Sequence, residues 1–341
     1  MAFERGVVGL GRSGLAVLEQ SLWEGLAPER ILAWVDQEPG TEQVETLRHL
    51  GVRLVWGREA FLHLQDCSEL VVSPGVNARA ERFEPLRQAG IPILSELEWA
   101  WRRLGGNPVV AVTGANGKST TVSLIHHLLS RAGRSSVLAG NIGLPLASVL
   151  KDLDPGTVLV LEVSSFQLEE SQTFRPHVGI LTNITPDHLD RHGEMDRYGR
   201  IKMSLFARQE ENDFALLNAR DPWSRRIPVP GRGRRIWIGD EAGLPVSWTA
   251  EELVMREPLR PGRVGLAVNP LPGPHNLENG AAALAAAHIL GLGDEVLGHH
   301  WATFQGLAHR METVAECQRI RFVNDSKATN VDATLRALQA Q

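Results

Sequence analysis

The sequence predicts an α/β fold: a Rossmann-like N-terminal domain followed by a central domain of the P-loop NTPase type with a parallel sheet. Three observations predict it. Short apolar, β-like runs alternate with helical patterns, a G-x-G-x-x-G turn follows the first run, and a second Gly-rich turn ending in Lys-Ser-Thr follows the run at 109–112. The β-like runs lie at 6–9, 31–35, 70–72, 109–112, 158–163 and 178–181. Strands separated by helices pair in parallel, because a parallel connection needs a crossover long enough to hold a helix. At 341 residues the chain has room for about two to three domains with real cores.

The first domain is assigned to residues 1–105. Gly9-Leu10-Gly11-Arg12-Ser13-Gly14 follows a short strand and opens a helix, and Asp36 ends the next apolar strand. That is the fingerprint of a dinucleotide fold, in which the glycines let backbone approach a pyrophosphate and the acid faces a ribose. Taken alone it suggests a nicotinamide-dependent oxidoreductase. The same geometry serves any nucleotide diphosphate, so fold and substrate must be argued separately. Ser73-Pro74-Gly75 follows the run at 70–72, and its turn belongs on the same carboxyl edge, where ligands bind. An ordinary turn would look similar. Leu104-Gly105-Gly106-Asn107-Pro108 breaks the pattern and reads as a linker.

The central domain, 106–305, opens on Pro-Val-Val-Ala-Val-Thr-Gly-Ala-Asn-Gly-Lys-Ser-Thr-Thr (108–121). An apolar strand runs into a Gly-rich turn and then a helix, which makes a phosphate cradle. Backbone N–H groups from Gly114 to Gly117 face an anion, Lys118 reaches the outer phosphates, and the Ser119 hydroxyl suits Mg²⁺. Position 112 is Val where a standard Walker loop has Gly, so the loop is of the shortened G-x-x-G-K-S-T kind. A nucleoside triphosphate, taken as ATP, is the expected ligand. Glu162 lies near the carboxyl end of a buried run, where a carboxylate is costly unless paired or bound to a cation, so it is a candidate Mg²⁺ ligand. Thr182 to His192 crowds polar and ionisable residues after another apolar strand, which suggests a site. The arginines between 225 and 235 suit a solvated loop better than an anion site, and His126-His127 and His299-His300 receive no chemistry.

Composition excludes several classes. With 35 basic and 40 acidic residues the net charge is -5, so no basic field invites nucleic acid or an anionic membrane. The partners should be small molecules. Two cysteines, Cys67 and Cys317, with no other Cys or His at ligand spacing, suggest neither a disulfide framework nor structural zinc. The Ala-rich stretch 281–290 is too short to span a bilayer, and the chain reads as cytoplasmic and reduced.

Together, Gly-Ala-Asn-Gly-Lys-Ser-Thr (114–120), Gly-Asn-Ile-Gly (140–143), Glu-Val-Ser-Ser-Phe-Gln-Leu-Glu (162–169), Asp-His-Leu-Asp-Arg (187–191), His-Asn-Leu-Glu-Asn (275–279), His-Arg-Met-Glu (309–312) and Asn-Asp-Ser-Lys-Ala-Thr-Asn (324–330) resemble the Mur ligase family in kind and order. The last motif and Ser-Ser-Phe-Gln-Leu-Glu resemble its D-glutamate-adding members, and the resemblance covers nearly the whole chain. It implies an ATP-driven amide synthesis in peptidoglycan precursor assembly: UDP-N-acetylmuramoyl-L-alanine is activated as an acyl phosphate, which the D-glutamate amine then attacks. It further implies that Gly114, Asn116, Gly117, Lys118, Ser119, Thr120, Asn276, Asn279, Arg310 and Asp325 bind ATP. Ser119 and Glu162 would hold one Mg²⁺. His188 and Lys202 would complete a second site, with Lys202 carbamylated by CO₂, and Lys118, His188 and Lys202 would be catalytic. Gly11, Arg12, Ser13, Asp36, Ser73, Pro74, Gly75, Asn141 and Gln167 would line the UDP-substrate, and Lys327 and Thr329 would face D-glutamate. A monomer is expected.

The family has a third, Rossmann-like domain, of which residues 306–341 would be a stub supplying a hairpin and one helix. On that reading a chain ending at Gln341 keeps UDP-sugar binding but ligates poorly. A nucleotide-binding module without turnover therefore stays open beside the ligase, whereas an oxidoreductase has no use for the Lys118-Ser119-Thr120 loop.

Overall fold

The computed structural model of the protein describes residues 2–266, 268–271, 273–328 and 331–339. Its contacts divide the chain into two units, the first made of Met1–Gly106, Ala139–Pro155 and Ser164–Phe174, the second of Asn107–Leu138, Gly156–Val163 and Arg175–Gln341.

In the first unit, strands β1 (Phe3–Val8), β2 (Ile31–Val35), β3 (Arg53–Trp56), β4 (Cys67–Val72) and β5 (Ile93–Ser95) pair in parallel in the order β3-β2-β1-β4-β5. Val8, Leu32, Trp34, Leu70 and Val72 pack with Phe61 and Phe83 in one apolar cluster. Near-continuous apolar strands are what a parallel sheet covered on both faces requires. Strand order reverses between β1 and β4. Connections leave in opposite directions there, which opens a crevice beyond the carboxyl ends of the strands.

Two buried acids fasten the distant segments into this unit. Both lie on the helix Glu96–Trp101. Glu98 is fully buried and accepts the backbone N–H groups of Gln172, Thr173 and Phe174 at 3.0, 3.0 and 3.1 Å, with Arg102 at 2.9 Å on its flank. Glu96 accepts the Ala147 N–H at 2.7 Å, and its Oε2 has no partner among the described residues. Burial pushes the Glu96 carboxyl up to about 7 against this hydrogen bond and one from the Leu146 N–H. A raised acid pKa means that the folded state holds its proton to higher pH than the unfolded one. Stability from this group is therefore complete below the ordinary value of 4.5, declines as pH rises, and levels off above about 7. Glu96→Gln keeps an acceptor and removes the titration. Relative to wild type, the variant should gain about 2.5 kcal/mol between about pH 5 and about pH 8 in urea unfolding. An equal difference from wild type at both pH values would refute the titration.

The second unit is built on a nine-stranded sheet of β6 (Val109–Thr113), β7 (Ser136–Gly140), β8 (Val158–Glu162), β9 (Val178–Leu181), β10 (Phe214–Asn218), β11 (Arg234–Gly239), β12 (Val246–Trp248), β13 (Glu252–Met255) and β14 (Gly262–Gly265), ordered β14-β13-β12-β11-β10-β9-β6-β8-β7. β8, β6, β9, β10, β11 and β12 follow one another in parallel. The sheet is parallel over these strands, as expected, and at its far end β13 runs antiparallel to both β12 and β14. There β12, β13 and β14 follow one another through short turns as hairpins, with no crossover helix between them. On one face the helix Pro274–Ile289 packs against the helix Lys118–Arg131, burying its alanines from Ala281 to Ala287. A hairpin of β15 (Glu312–Cys317) and β16 (Ile320–Asn324) and the helix Val331–Gln339 follow. The arginines of the 225–235 stretch, expected in a loop, lie largely in regular elements, Arg225 and Arg226 on the helix Pro222–Arg226 and Arg234 and Arg235 on β11, with Arg225 paired to Glu241 at 3.0 Å and Arg226 to Asp196 at 3.4 Å. Among the described residues no helix is long and apolar enough to cross a membrane.

Candidate active site

β6 delivers the chain into the turn Gly114–Gly117, and the helix Lys118–Arg131 begins at once with Gly117 as its N-cap. The turn is clamped from the neighbouring strand. Just past β9, the Thr182 hydroxyl donates to the Asn116 carbonyl at 2.6 Å, Asn183 Oδ1 accepts the Asn116 N–H at 3.0 Å, and Asn183 Nδ2 donates back to the Asn116 carbonyl at 3.1 Å. The Ala115 N–H bonds to the Asn183 carbonyl at 2.9 Å. A loop held on both its donors and its acceptors is formed before ligand arrives, and the helix N-terminus behind it favours an anion.

Two lysines converge beneath the loop. Lys118 Nζ donates to the carbonyls of Gly114 at 2.9 Å and Ala115 at 2.8 Å, and Lys202 Nζ donates to the same Gly114 carbonyl at 2.8 Å. Lys202 is almost entirely buried, whereas Lys118 is half-buried with its ammonium bonded to the loop carbonyls. Burial lowers both lysine pKa values; for Lys202 the charge of Lys118 adds to it and carries the shift well below the ordinary range, with Asp187 and Glu162 opposing. At the end of β8, Glu162 accepts the Ser119 hydroxyl at 2.6 Å, and Arg310 donates to that same hydroxyl at 2.8 Å. A buried carboxylate beside a hydroxyl and a phosphate loop is a hard-oxygen pair of the kind Mg²⁺ takes, with phosphate and water completing the shell. Among the described residues no three His, Cys, Asp or Glu side chains form a ready-made metal set.

A cleft beside the loop gathers Asn116, Gly117 and Thr120 with Asn276, Asn279, Arg310, Asp325 and Lys327. Residues up to two hundred positions apart in the chain thus meet on one wall. Asn279 donates to Asn276 at 3.3 Å, and Asp325 accepts the Met311 N–H at 3.1 Å. His188 and Lys202 do not line this cleft. His188 stands in a left-handed conformation, φ 52°, with its ring 3.6 Å from Asp187. Thr329 lies outside the described residues.

In the first unit, the turn after β1 sits at the switch point. The Gly9 N–H bonds to the Trp34 carbonyl on β2 at 2.8 Å, and Ser73 beyond β4 donates its hydroxyl to the Gly9 carbonyl at 2.9 Å. A Cβ at Gly14 would fall 1.9 Å from the Gly9 carbonyl oxygen, so the helix can start this close only with glycine. Gly11 has nothing within 4 Å of its would-be Cβ and is the open point of the turn. Arg12 reaches the Gly143 carbonyl, and Ser13, Pro74 and Gly75 lie at the same edge, Gly75 exposed.

Residues 112–287 match the Mur ligase middle domain, and residues 4–95 match the Mur ligase MurD-like N-terminal domain. The UDP-N-acetylmuramoylalanine–D-glutamate ligase of Pelotomaculum thermopropionicum is 41% identical over 98% of this chain and 74% of its own length. The chain belongs to the Mur ligase family. The ligase of the same name from Geobacillus kaustophilus is 37% identical over 98% of the chain and 73% of its own length, so the Mur ligase chain described here spans about three quarters of these relatives. Among solved structures, MurF from Acinetobacter baumannii superposes with a TM-score of 0.61 at 19% identity, covering 98% of this chain and 70% of that one, and MurC from Thermotoga maritima with 0.55 at 20%, covering 99% and 77%. At such identities they bear on the fold alone.

Three features of this Mur ligase escaped the sequence reading. Gln167 is buried, and its Oε1 accepts the N–H and the hydroxyl of Ser164, both at 3.0 Å, closing a capping box on the helix Ser165–Glu169. The signal was present as Ser-x-x-Gln ahead of an apolar residue. Asn141 sits exposed in the turn after β7. The Thr182–Asn183 clamp lies inside the polar 182–192 segment that suggests a site, though nothing local shows that it holds the loop, and the partner of Asp36 is not legible in local sequence: Arg82 donates to Asp36 Oδ1 at 2.7 Å.

Proposed function

We propose that the protein is an ATP-dependent amide ligase that adds D-glutamate to UDP-N-acetylmuramoyl-L-alanine in peptidoglycan precursor synthesis. The observation that carries this reading is the clamped Gly114–Thr120 loop with the Ser119–Glu162 pair beneath it, in a chain so similar across its length to ligases of that name. Amide synthesis from a carboxylate needs activation, because a carboxylate is a poor acyl donor. The substrate carboxylate forms a bond to the γ-phosphorus of ATP while the bond to ADP breaks; the D-glutamate amine then attacks the acyl carbon, loses a proton and expels phosphate. Such transfers need alignment and charge neutralisation more than covalent help. On this reading the N–H groups where the helix Lys118–Arg131 begins and Lys118 hold the phosphates, since Ala115 and Asn116 spend theirs on Asn183, while Asn276, Asn279, Arg310 and Asp325 hold the nucleotide, and Lys327 and Thr329 meet D-glutamate. Gly11, Arg12, Ser13, Asp36, Ser73, Pro74, Gly75 and Asn141 hold the UDP-sugar. Gln167 contributes by fixing its helix.

Magnesium fits Ser119 and Glu162, where it would neutralise phosphate charge. His188 and a carbamate on Lys202 are the proposed ligands of a second ion. We assign the enzyme to the cytoplasm as a monomer acting on small molecules.

The test mixes the chain with ATP, Mg²⁺, UDP-N-acetylmuramoyl-L-alanine and D-glutamate and follows ADP and the amide product separately. Amide that depends on D-glutamate supports the ligase. Calorimetric binding of NAD with no binding of the UDP-sugar would overturn it.

A further inference from the structure

The Asp36–Arg82 pair is built more firmly than a surface ion pair needs. The Arg82 guanidinium lies 5.0, 5.4 and 5.7 Å from the ring centroids of Trp34, Phe61 and Phe83, while Nη1 bonds to Asp36 at 2.7 Å. The rings brace one another edge-on, Phe61 against Trp34 at 5.1 Å and against Phe83 at 5.0 Å. Trp34 is fixed in turn, its indole N–H donating to the Gly57 carbonyl at 3.0 Å and its own carbonyl accepting the Gly9 N–H. A planar cation seated on three rings has lost its rotamer freedom before any ligand binds. Asp36, at the carboxyl end of β2, is thereby anchored by one oxygen beside the Gly9–Gly14 turn.

We propose that Arg82 is a positioning residue that sets base preference: it holds Asp36 as a fixed hydrogen-bond acceptor, selecting a pyrimidine that presents a ring N–H, as uracil does, over cytosine, whose ring nitrogen is itself an acceptor. This rests on the reading of the first unit as a uridine-nucleotide site. An anchored carboxylate opposite cytosine leaves two acceptors facing each other. A carboxylate free to swing can turn away and lets that mismatch pass, so anchoring creates the discrimination.

The experiment is calorimetric titration of the full chain with UDP and with CDP, for wild type, Arg82→Ala and Arg82→Lys. The wild type should prefer UDP, and the UDP-to-CDP affinity ratio should fall roughly tenfold in both variants. Lysine should fail to rescue, since a compact, strongly hydrated ammonium does not replace the planar guanidinium that reaches the three rings and Asp36 together. The ATP affinity, read on the same samples, should not move. If the alanine variant does not fold, the lysine variant keeps the test, because its stem still covers the rings. A ratio unchanged in a folded variant overturns the role of Arg82. Wild-type protein that binds neither nucleotide overturns instead the uridine site beneath it.

Discussion

Replacing Lys202 by alanine should lower amide synthesis about a thousandfold while ATP binding changes by only a few-fold. Lys202 Nζ and Lys118 Nζ share the Gly114 carbonyl as acceptor, and two ammonium ions on one oxygen in a buried site repel each other. Lys202, with only 2% of its surface exposed, is the group driven toward the neutral amine by burial and by Lys118, against the opposing pull of the Tyr198 ring 4.5 Å from its Nζ. A neutral amine attacks CO₂, releases a proton and becomes a carbamate. On the proposed reading the site would thereby exchange a cation that repels metal for an anion that offers hard oxygens near Glu162. The sign of the pH effect follows. Activity should rise with pH through a Lys202 pKa that lies below the ordinary lysine range, because the amine must lose its proton before it can bind CO₂. Lys202→Arg should be as inactive as Lys202→Ala, since a guanidinium keeps its charge at any working pH. Removing dissolved CO₂ should inactivate the wild type reversibly, and intact mass should show one added CO₂ in bicarbonate. Full turnover by the arginine variant would defeat the carbamate.

The phosphate loop was legible in the sequence because its chemistry is local: strand, two glycines, Lys-Ser-Thr and helix are contiguous, and their geometry follows from residues that touch along the chain. The alternation of apolar runs likewise shows β1, β2, β4, β6, β8 and β9, whereas the parallel strands β3, β5, β10, β11 and β12 are not among those runs. The antiparallel end at β13 and β14 was not legible, since strand direction there depends on short turns within a Pro- and Gly-rich stretch of weak periodicity. Nor were the side chains that hold the site. Asn183 bonds Asn116 from 67 positions away, Arg310 reaches Ser119 from 191, and Arg82 reaches Asp36 from 46. Such pairs are created by the sheet order, which brings the ends of β6, β8 and β9 side by side, and no local pattern announces them. Glu98 shows the same limit from another direction. A glutamate in a short amphipathic stretch reads as solvent-facing, yet it is fully buried because three backbone N–H groups from 172–174 converge on it.

Gly114→Ala should be among the most damaging small changes in the chain, costing about 3 kcal/mol of stability or more and lowering ATP turnover about a hundredfold. Two costs coincide at this position. Its φ of 147° lies where L side chains are strained, and a Cβ would meet Thr182 Oγ1 at 1.9 Å and the backbone N and O of Asn183 at 3.2 Å. Relief by movement of Thr182 is blocked. Its hydroxyl is bonded to the Asn116 carbonyl at 2.6 Å, and its carbonyl accepts Asn218 Nδ2 at 2.9 Å. The loop must therefore shift away from β9, which breaks the Asn183 contacts that fix its shape and displaces the Gly114 carbonyl on which both lysines rest. Steric and backbone costs can be separated by adding Thr182→Ala, which deletes the clashing oxygen but leaves φ unchanged. The double variant should recover part of the stability lost by Gly114→Ala, a positive coupling in a double-mutant cycle. Gly11→Ala supplies the contrast, because φ there is −72° and nothing lies within 4 Å of the new methyl. It should melt with the wild type and weaken only the UDP-sugar, by crowding the backbone where a pyrophosphate would approach. Thermal unfolding together with ATP titration decides the matter: a Gly114→Ala protein with wild-type melting temperature and wild-type ATP affinity would mean that the loop does not need the geometry on which its phosphate site depends.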